Sequence, residues 1–228
     1  MRIVFVRHGH PDYANDCLTE LGRAHARAAA ERLKGEGICE IHASTRGRAM
    51  ETALVTAEAL GLPVIPQDFM REISWGAEDG EEIFKNGHPW FTSDERVLRG
   101  LPVNVPDWQE DEWYRPNTKL LRSAQVVTDG LDEWMASLGY VREGAYYRVT
   151  GENTNRTVAM FSHGGSSTVA LALLFNLPFP LLCSGLTPDF TAITIVTLSD
   201  DVGTLTMPRF EIANDARHIH ASTETTYQ

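Results

Sequence analysis

Two segments of this chain end in the same way. Ile3-Val4-Phe5-Val6 runs into Arg7-His8-Gly9, and Thr157 to Phe161 runs into Ser162-His163-Gly164-Gly165. Each run is continuously apolar and short, which is how a strand buried on both faces of a parallel or mixed sheet reads. A helical pattern, Ser166 to Leu177, follows the second unit and stops at Pro178 and Pro180. In open sheets of alternating strands and helices, ligands bind beyond the carboxyl ends of the strands. Two histidines delivered to that edge can face one pocket.

The rest of the chain fits the same class. Arg23 to Leu33 reads as a helix led in by Thr19-Glu20-Leu21-Gly22, with Leu21, Ala24, Ala28 and Leu33 on one face and Gly35 and Gly37 after it. Ile38 to Ala43 reads as a strand, and Ser44 or Thr45 caps a second helix closed by Gly61-Leu62-Pro63. Val64-Ile65 is a short strand leading to Met70-Arg71-Glu72. Leu120 to Leu138 is a helix with Leu121, Val127, Leu131 and Trp134 inward. Tyr146–Thr150 and Thr157–Phe161 read as a hairpin around Gly151 to Asn155, and Ala192–Leu198 and Leu205–Ile212 as strands joined by a turn at Asp200 to Gly203. The expected architecture is α/β: a three-layer α/β/α domain over 1–228 with a central, mostly parallel sheet. Residues 77–119 break the pattern with Trp90, Trp108, Trp113 and several prolines, and read as an inserted, cap-like segment near the strand-end pocket.

The residues at the strand ends favour an anion. Glycine lets a ligand approach the backbone closely. Gly164-Gly165 opens a helix, whose first N–H groups and positive end attract negative charge. Arg7 beside His8 adds a planar fork suited to a phosphate. A single strand-end histidine is more often structural; two of them with trailing glycines and an arginine point to an oxyanion site.

Charge narrows the ligand. The 228 residues carry a formal charge of −11, which argues against a general nucleic-acid binder. The 77–119 segment has ten acidic and five basic residues, a net of −5, and would repel long polyanions from a pocket it borders. The apolar start is too short for a signal-peptide core, and Val169 to Leu177 is too short for a membrane helix. Three widely spaced cysteines, Cys17, Cys39 and Cys183, suggest neither a disulfide framework nor a zinc site. A cytoplasmic location is expected, with no nucleic acid or membrane partner, as a monomer or homodimer.

Taken in order, these motifs resemble the histidine phosphatase superfamily, which includes phosphoglycerate mutases. Arg7-His8-Gly9 matches its opening motif and Leu18-Thr19-Glu20-Leu21-Gly22 its Leu-Thr-x-x-Gly. Ser44 to Ala53 matches Ser-x-Leu-x-Arg-Ala-x-Gln-Thr-Ala, with Arg46 and Glu51 departing from it. Met70-Arg71-Glu72 to Gly76 matches Leu-Arg-Glu-x-x-x-Gly, and Ser162-His163-Gly164-Gly165 the second histidine motif. Ile212 to Ile219 resembles the Asn-Asp-x-x-His-Leu ending.

The resemblance implies roles. His8 is the nucleophile that takes the phosphoryl group, and Arg7, Arg48 and His163 bind its oxygens. Glu72 protonates the leaving oxygen and then assists water, with Asp12, Glu78 and Asp79 as backup acids. Gly9, His10, Asn15 and Gly164 are the substrate-side candidates, His10 standing where many members carry Glu. Two arginines and a histidine supply the charge that phosphoryl transfer needs, so no metal or cofactor is expected. The expected substrate is a small phosphomonoester. The mutase branch carries Trp-Asn and Gly-Trp elements after Arg-His-Gly that His10 to Cys17 lack, which favours hydrolysis. Two rivals are a non-catalytic phosphate-binding module and a metal-dependent barrel hydrolase using His8 and His10.

Overall fold

The computed structural model describes residues 1–78, 99, 103–151 and 154–220. Its first strand is buried on both faces and divides the core in two. Ile3 and Phe5 join an apolar cluster on one side, while Val4 and Val6 join a second cluster on the other. The strand Thr157–Ser162 does the same, with Val158 and Met160 facing one way and Ala159 and Phe161 the other. This two-residue period, apolar on both faces, marks the middle layer of three.

In chain order the strands are β1 (Arg2–Arg7), β2 (Pro11–Asp12), β3 (Cys17–Leu18), β4 (Ile38–Ser44), β5 (Val64–Gln67), β6 (Tyr140–Glu143), β7 (Tyr146–Val149), β8 (Thr157–Ser162), β9 (Ile193–Thr197), β10 (Leu205–Thr206) and β11 (Arg209–Asp215). The α-helices are α1 (Glu20–Leu33), α2 (Gly47–Leu60), α3 (Thr118–Ser137), α4 (Gly164–Phe175), α5 (Phe179–Gly185) and α6 (Arg217–His220). The main sheet runs β11-β9-β1-β8-β4-β5, and β9 alone opposes the other strands. It is open at β11 and β5, so the closed-barrel alternative does not hold. Leu33, Ala53 and Ala57 from α1 and α2 cover one face; Leu131, Trp134, Val169 and Leu174 from α3 and α4 cover the other.

Local chemistry explains the helices. Thr19 caps α1 by accepting from Gly22 N at 3.1 Å. The buried stripe is Gly22, Ala26, Ala29, Ala30 and Leu33, whereas Leu21 and Ala24, expected inward, face solvent. Small residues there allow close packing against α2, which a leucine would prevent. α2 starts at Gly47 with Arg46 in the cap position, so neither Ser44 nor Thr45 is the cap. Ser44 ends β4 and has another task. Gly61, left-handed at φ 68°, closes α2.

Two expected strand arrangements differ. Tyr146–Val149 does not pair with Thr157–Ser162. It pairs with β6 and β10 in a separate three-stranded sheet, and Gly144, at φ 62°, makes the β6–β7 turn. β8 is apolar on both faces and is drawn into the central sheet between β1 and β4, where it buries more. The expected strand from Leu205 to Ile212 is two strands: β10 joins β7, and β11, beyond Pro208, joins β9.

The inserted segment is closed at its base. Lys119 N donates to Gly76 O at 3.0 Å and Glu78 N to Thr118 Oγ1 at 3.1 Å, so the chain leaves and returns at one place. Trp108 is buried against Tyr114 and Phe179, and Trp113 is 39% exposed. Among the described residues neither makes a ring contact with His8; Trp90 lies outside them.

The tightest backbone approach is where the β1 loop crosses the start of α1. A Cβ on Gly22 would lie 2.1 Å from His10 O, and one on Gly9 2.5 Å from Gly22 O. Gly22→Ala is therefore expected to destabilise the protein by about 1–3 kcal/mol through overpacking against backbone. At Gly35 a Cβ meets nothing within 4 Å, so Gly35→Ala should be neutral or stabilising by under about 1 kcal/mol. Urea unfolding of the two variants checks the contrast; equal midpoints would refute it.

Candidate active site

Three adjacent parallel strands converge on one edge. In the β1–β8 register Arg7 lies opposite Ser162, and His8 N donates to Ser162 O at 2.9 Å. The next residue on each chain is a histidine, so the rings of His8 and His163 meet edge to face, centroids 5.2 Å apart. β4 lies on the other side of β8 and brings Ser44 to His163 and Arg48, the second residue of α2, to His8. The run after β5 carries Glu72 to the start of α4.

The hydrogen bonds assign the tautomer of His8. His8 Nδ1 lies 2.7 Å from Gly9 O, which can only accept, so the ring proton is on Nδ1 and Nε2 carries a lone pair. Arg48 Nε donates to that Nε2 at 3.2 Å. Ser44 Oγ accepts Arg46 N at 3.3 Å and lies 2.8 Å from His163 Nε2. His163 Nδ1 is buried without a hydrogen-bond partner among the described residues. Arg7 Nε is likewise buried and unpaired. Two buried ring and guanidinium nitrogens without partners, beside an unprotonated imidazole nitrogen, fit an oxyanion.

Burial sets the charge states. It lowers His8 to about 3, helped by Arg7 and opposed by the Gly9 carbonyl. It also holds His163 well below the ordinary histidine value, with His8 and Arg48 adding to the effect. Both rings are neutral at pH 7. The positive charge of the pocket rests on the arginines, which cannot be deprotonated there. Arg7 Nη1 donates to Pro188 O, and its guanidinium lies 4.3 Å from the centre of the Phe190 ring. Arg48 is 7% exposed, and its Nη1 donates to Asp16 Oδ1 at 2.5 Å.

Glu72 is the acid in place. Its Oε1 accepts Ile73 N and Ser166 N, each at 3.0 Å; Oε2 accepts only the longer Gly165 N–H at 3.4 Å. Burial pushes its carboxyl up, opposed by Arg7 and the three N–H groups. Oε2, the less satisfied oxygen, is where a proton would sit. Position 165 must be glycine, since a Cβ there would lie 2.6 Å from Glu72 Oε1 and 2.5 Å from Ile73 Cγ1. The start of α4, expected to receive the anion, thus holds Glu72 through two of its N–H groups. Two of the three backup acids are engaged otherwise. Asp12 is engaged by Asn15, whose amide holds its carboxyl below the usual range; Glu78 pairs with Arg122 at the surface; Asp79 lies outside the described residues.

The substrate-side candidates divide. Gly9 N donates to Thr52 Oγ1 at 3.1 Å, and Gly164 opens α4 beside His163. His10 is half-buried at the rim, with Nδ1 2.9 Å from Thr19 Oγ1 and its ring 5.3 Å from Phe190. Asn15 is exposed and folds back on Asp12 rather than toward His8. Among the described residues no group of three or more His, Cys, Asp or Glu side chains could hold a metal ion. No described helix is long and apolar enough to cross a membrane.

Asp16, Ser44, Pro188 and Phe190 were not singled out from sequence as site residues. The last two are held from the C-terminal motif. Asn214 Oδ1 accepts Asp189 N at 2.9 Å, and Asn214 Nδ2 donates to Thr187 O at 3.2 Å. His218 Nε2 lies 3.0 Å from Thr191 Oγ1, and Thr191 N donates to His8 O at 3.2 Å. The Asn-Asp-x-x-His ending thus braces the loop behind Arg7.

Comparison with known proteins agrees with this layout. A sequence profile described as histidine phosphatase superfamily (branch 1) matches residues 3–209. A probable phosphoglycerate mutase, GpmB, of Yersinia pestis is 24% identical over 187 residues, 78% of this chain and 76% of its own. The solved structure of a mycobacterial glucosyl-3-phosphoglycerate phosphatase superposes with a TM-score of 0.63 at 26% identity, covering 93% of this chain and 98% of that one. A phosphoserine phosphatase from Entamoeba histolytica, solved with 3-phosphoglyceric acid, shares the fold with a TM-score of 0.63 at 20% identity, over 96% and 98% of the two chains.

The depressed histidines make the protein acid-sensitive. Unfolded His8 binds its proton near pH 6.5 and folded His8 only near 3. Between those values the unfolded state holds more protons, so stability present above pH 6.5 is lost as pH falls, with a limiting slope of about 1.4 kcal/mol per pH unit for each such histidine. His8→Gln should flatten the fall of the urea midpoint between pH 7 and pH 5. An unchanged slope would refute this account of His8.

Proposed function

This chain belongs to the histidine phosphatase superfamily, and from that premise we propose that it hydrolyses a small phosphomonoester through a phosphohistidine on His8. The observation that carries the reading is the unprotonated Nε2 of a neutral, buried His8, which accepts from Arg48 Nε and lies near Arg7. The Nε2 lone pair attacks phosphorus in line as the ester P–O bond breaks. Arg7, Arg48 and the His163 Nδ1–H hold the equatorial oxygens, where charge gathers. The proton on Glu72 passes to the departing oxygen, which leaves as an alcohol. His8 keeps its Nδ1 proton throughout, and Gly9 O stabilises the phosphorylated ring, which is cationic. Water then attacks phosphorus, Glu72 takes its proton, the N–P bond breaks and the lone pair returns to Nε2.

Hydrolysis is favoured over mutase transfer by the short connection after Gly9. The small β2–β3 hairpin has Tyr13 and Asn15 exposed, and Asn15 is spent on Asp12. The related proteins' names contain glucosyl-3-phosphoglycerate, phosphoserine and 3-phosphoglyceric acid. Small phosphorylated hydroxy acids therefore head the panel to be tested. We place the enzyme in the cytoplasm, working without metal or cofactor as a monomer or homodimer.

Phosphate release from such a panel, with acid-labile phosphate trapped on the protein, tests the proposal. His8→Ala should lose both turnover and the trapped phosphate; undiminished turnover, or trapping elsewhere, would sink it. Glu72→Gln should lower turnover of alkyl monoesters by roughly 10²–10⁴ and that of aryl phosphates, whose leaving group needs little protonation, much less. In the wild type kcat/KM should fall as pH rises through the raised Glu72 pKa, because the acid form is lost. In Glu72→Gln that limb should disappear.

A further inference from the structure

The turn between β2 and β3 reaches Arg48 with two side chains. Asp16 Oδ1 accepts Arg48 Nη1 at 2.5 Å, and its Oδ2 accepts Gly47 N at 3.0 Å. Tyr13, from the same turn, places its ring centre 5.4 Å from Arg48 Cζ. Asp16 has a left-handed backbone, φ 48°, and its carbonyl lies 2.1 Å from where a Cβ on residue 47 would be. Only glycine at position 47 lets the turn come this close. One carboxylate therefore bridges the first N–H of α2 and the guanidinium on the next residue.

A guanidinium is planar, so fixing two of its nitrogens fixes the third. Asp16 holds Nη1, and His8 Nε2 receives Nε at 3.2 Å. Nη2 makes no hydrogen bond to another described residue. Its direction, with that of Nε, is then set toward the space in front of the nucleophile. We propose that Asp16 is a positioning residue of the phosphate pocket, whose carboxylate aims the Arg48 fork at the phosphoryl oxygens. This rests on Arg48 being a phosphate-binding group, as the hydrolytic reading has it. Arg7 is held differently, by the Pro188 carbonyl and the Phe190 face. The two arginines are thus oriented by separate parts of the chain and can be tested separately.

The test is a double-mutant cycle between Asp16 and Arg48, read as kcat/KM on the best monoester of the panel. Asp16→Ala should lower it by roughly 10- to 100-fold, the cost of a misaimed group. Asp16→Asn, which keeps one acceptor oxygen for Arg48, should lose less. In an Arg48→Lys background, where there is no fork to aim, Asp16→Ala should add no more than about threefold. A residue that merely caps α2 would lower the melting temperature and cost the same factor in both backgrounds; that outcome overturns the proposal. So does Asp16→Ala activity within twofold of wild type. If Arg48→Lys alone keeps wild-type kcat/KM, the phosphate-binding reading of Arg48 fails as well, which separates the two failures.

Discussion

The structure hangs on one pairing. β1 and β8 run parallel with Arg7 opposite Ser162, and that register alone sets His8 beside His163. A slip of one residue would turn every alternate side chain to the other face, exchanging Ile3 and Phe5 for Val4 and Val6 and carrying one histidine away from the pocket. Both strands are apolar on both faces, so each cluster resists such a slip. The core therefore supplies more than stability. It fixes the relative height of His8 and His163 to within a fraction of a residue.

What could be read from the chain, and what could not, follows from the range of the contacts. Arg7, His8, His163 and Arg48 each sit within two residues of a strand end or a helix start, where the local pattern gives direction. The glycines around them mark close backbone approach, and Gly165 shows why: Glu72 occupies the space a side chain would take. The supporting residues were hidden because their partners are distant in sequence. Asp16 meets Arg48 across 32 positions, Ser44 meets His163 across 119, and Pro188 meets Arg7 across 181. No local periodicity encodes such contacts. The hairpin expected around Gly151 to Asn155 failed for a related reason. Its turn residues are real turn formers, but the pull of a fully apolar β8 toward the central sheet outweighs a local connection. On α1 the expected face was off by part of a turn, since alanine and glycine carry little hydrophobic signal yet pack best against a neighbouring helix.

The electrostatics divide labour between residue types. Histidines are kept neutral by burial, so they can offer a lone pair and a ring proton at ordinary pH. The arginines keep their charge even when desolvated and carry the field. Glu72 is tied to three backbone N–H groups, yet its raised pKa leaves it able to hold a proton. A chain with an overall charge of −11 thus presents a locally cationic pocket. The sign of the whole molecule gives no guide to the sign of its site.

The inserted segment is tied to its host at its base, where Lys119 N donates to Gly76 O and Glu78 N to Thr118 Oγ1, and again where Trp108 packs on Phe179. Glu72 lies just before that junction and α3 just after it. Trp108 and Tyr114 are buried in the same apolar cluster as Val127 of α3 and Leu174 of α4, so a change in that part of the insert is felt by the core, as a wedge is felt by the joint it fills.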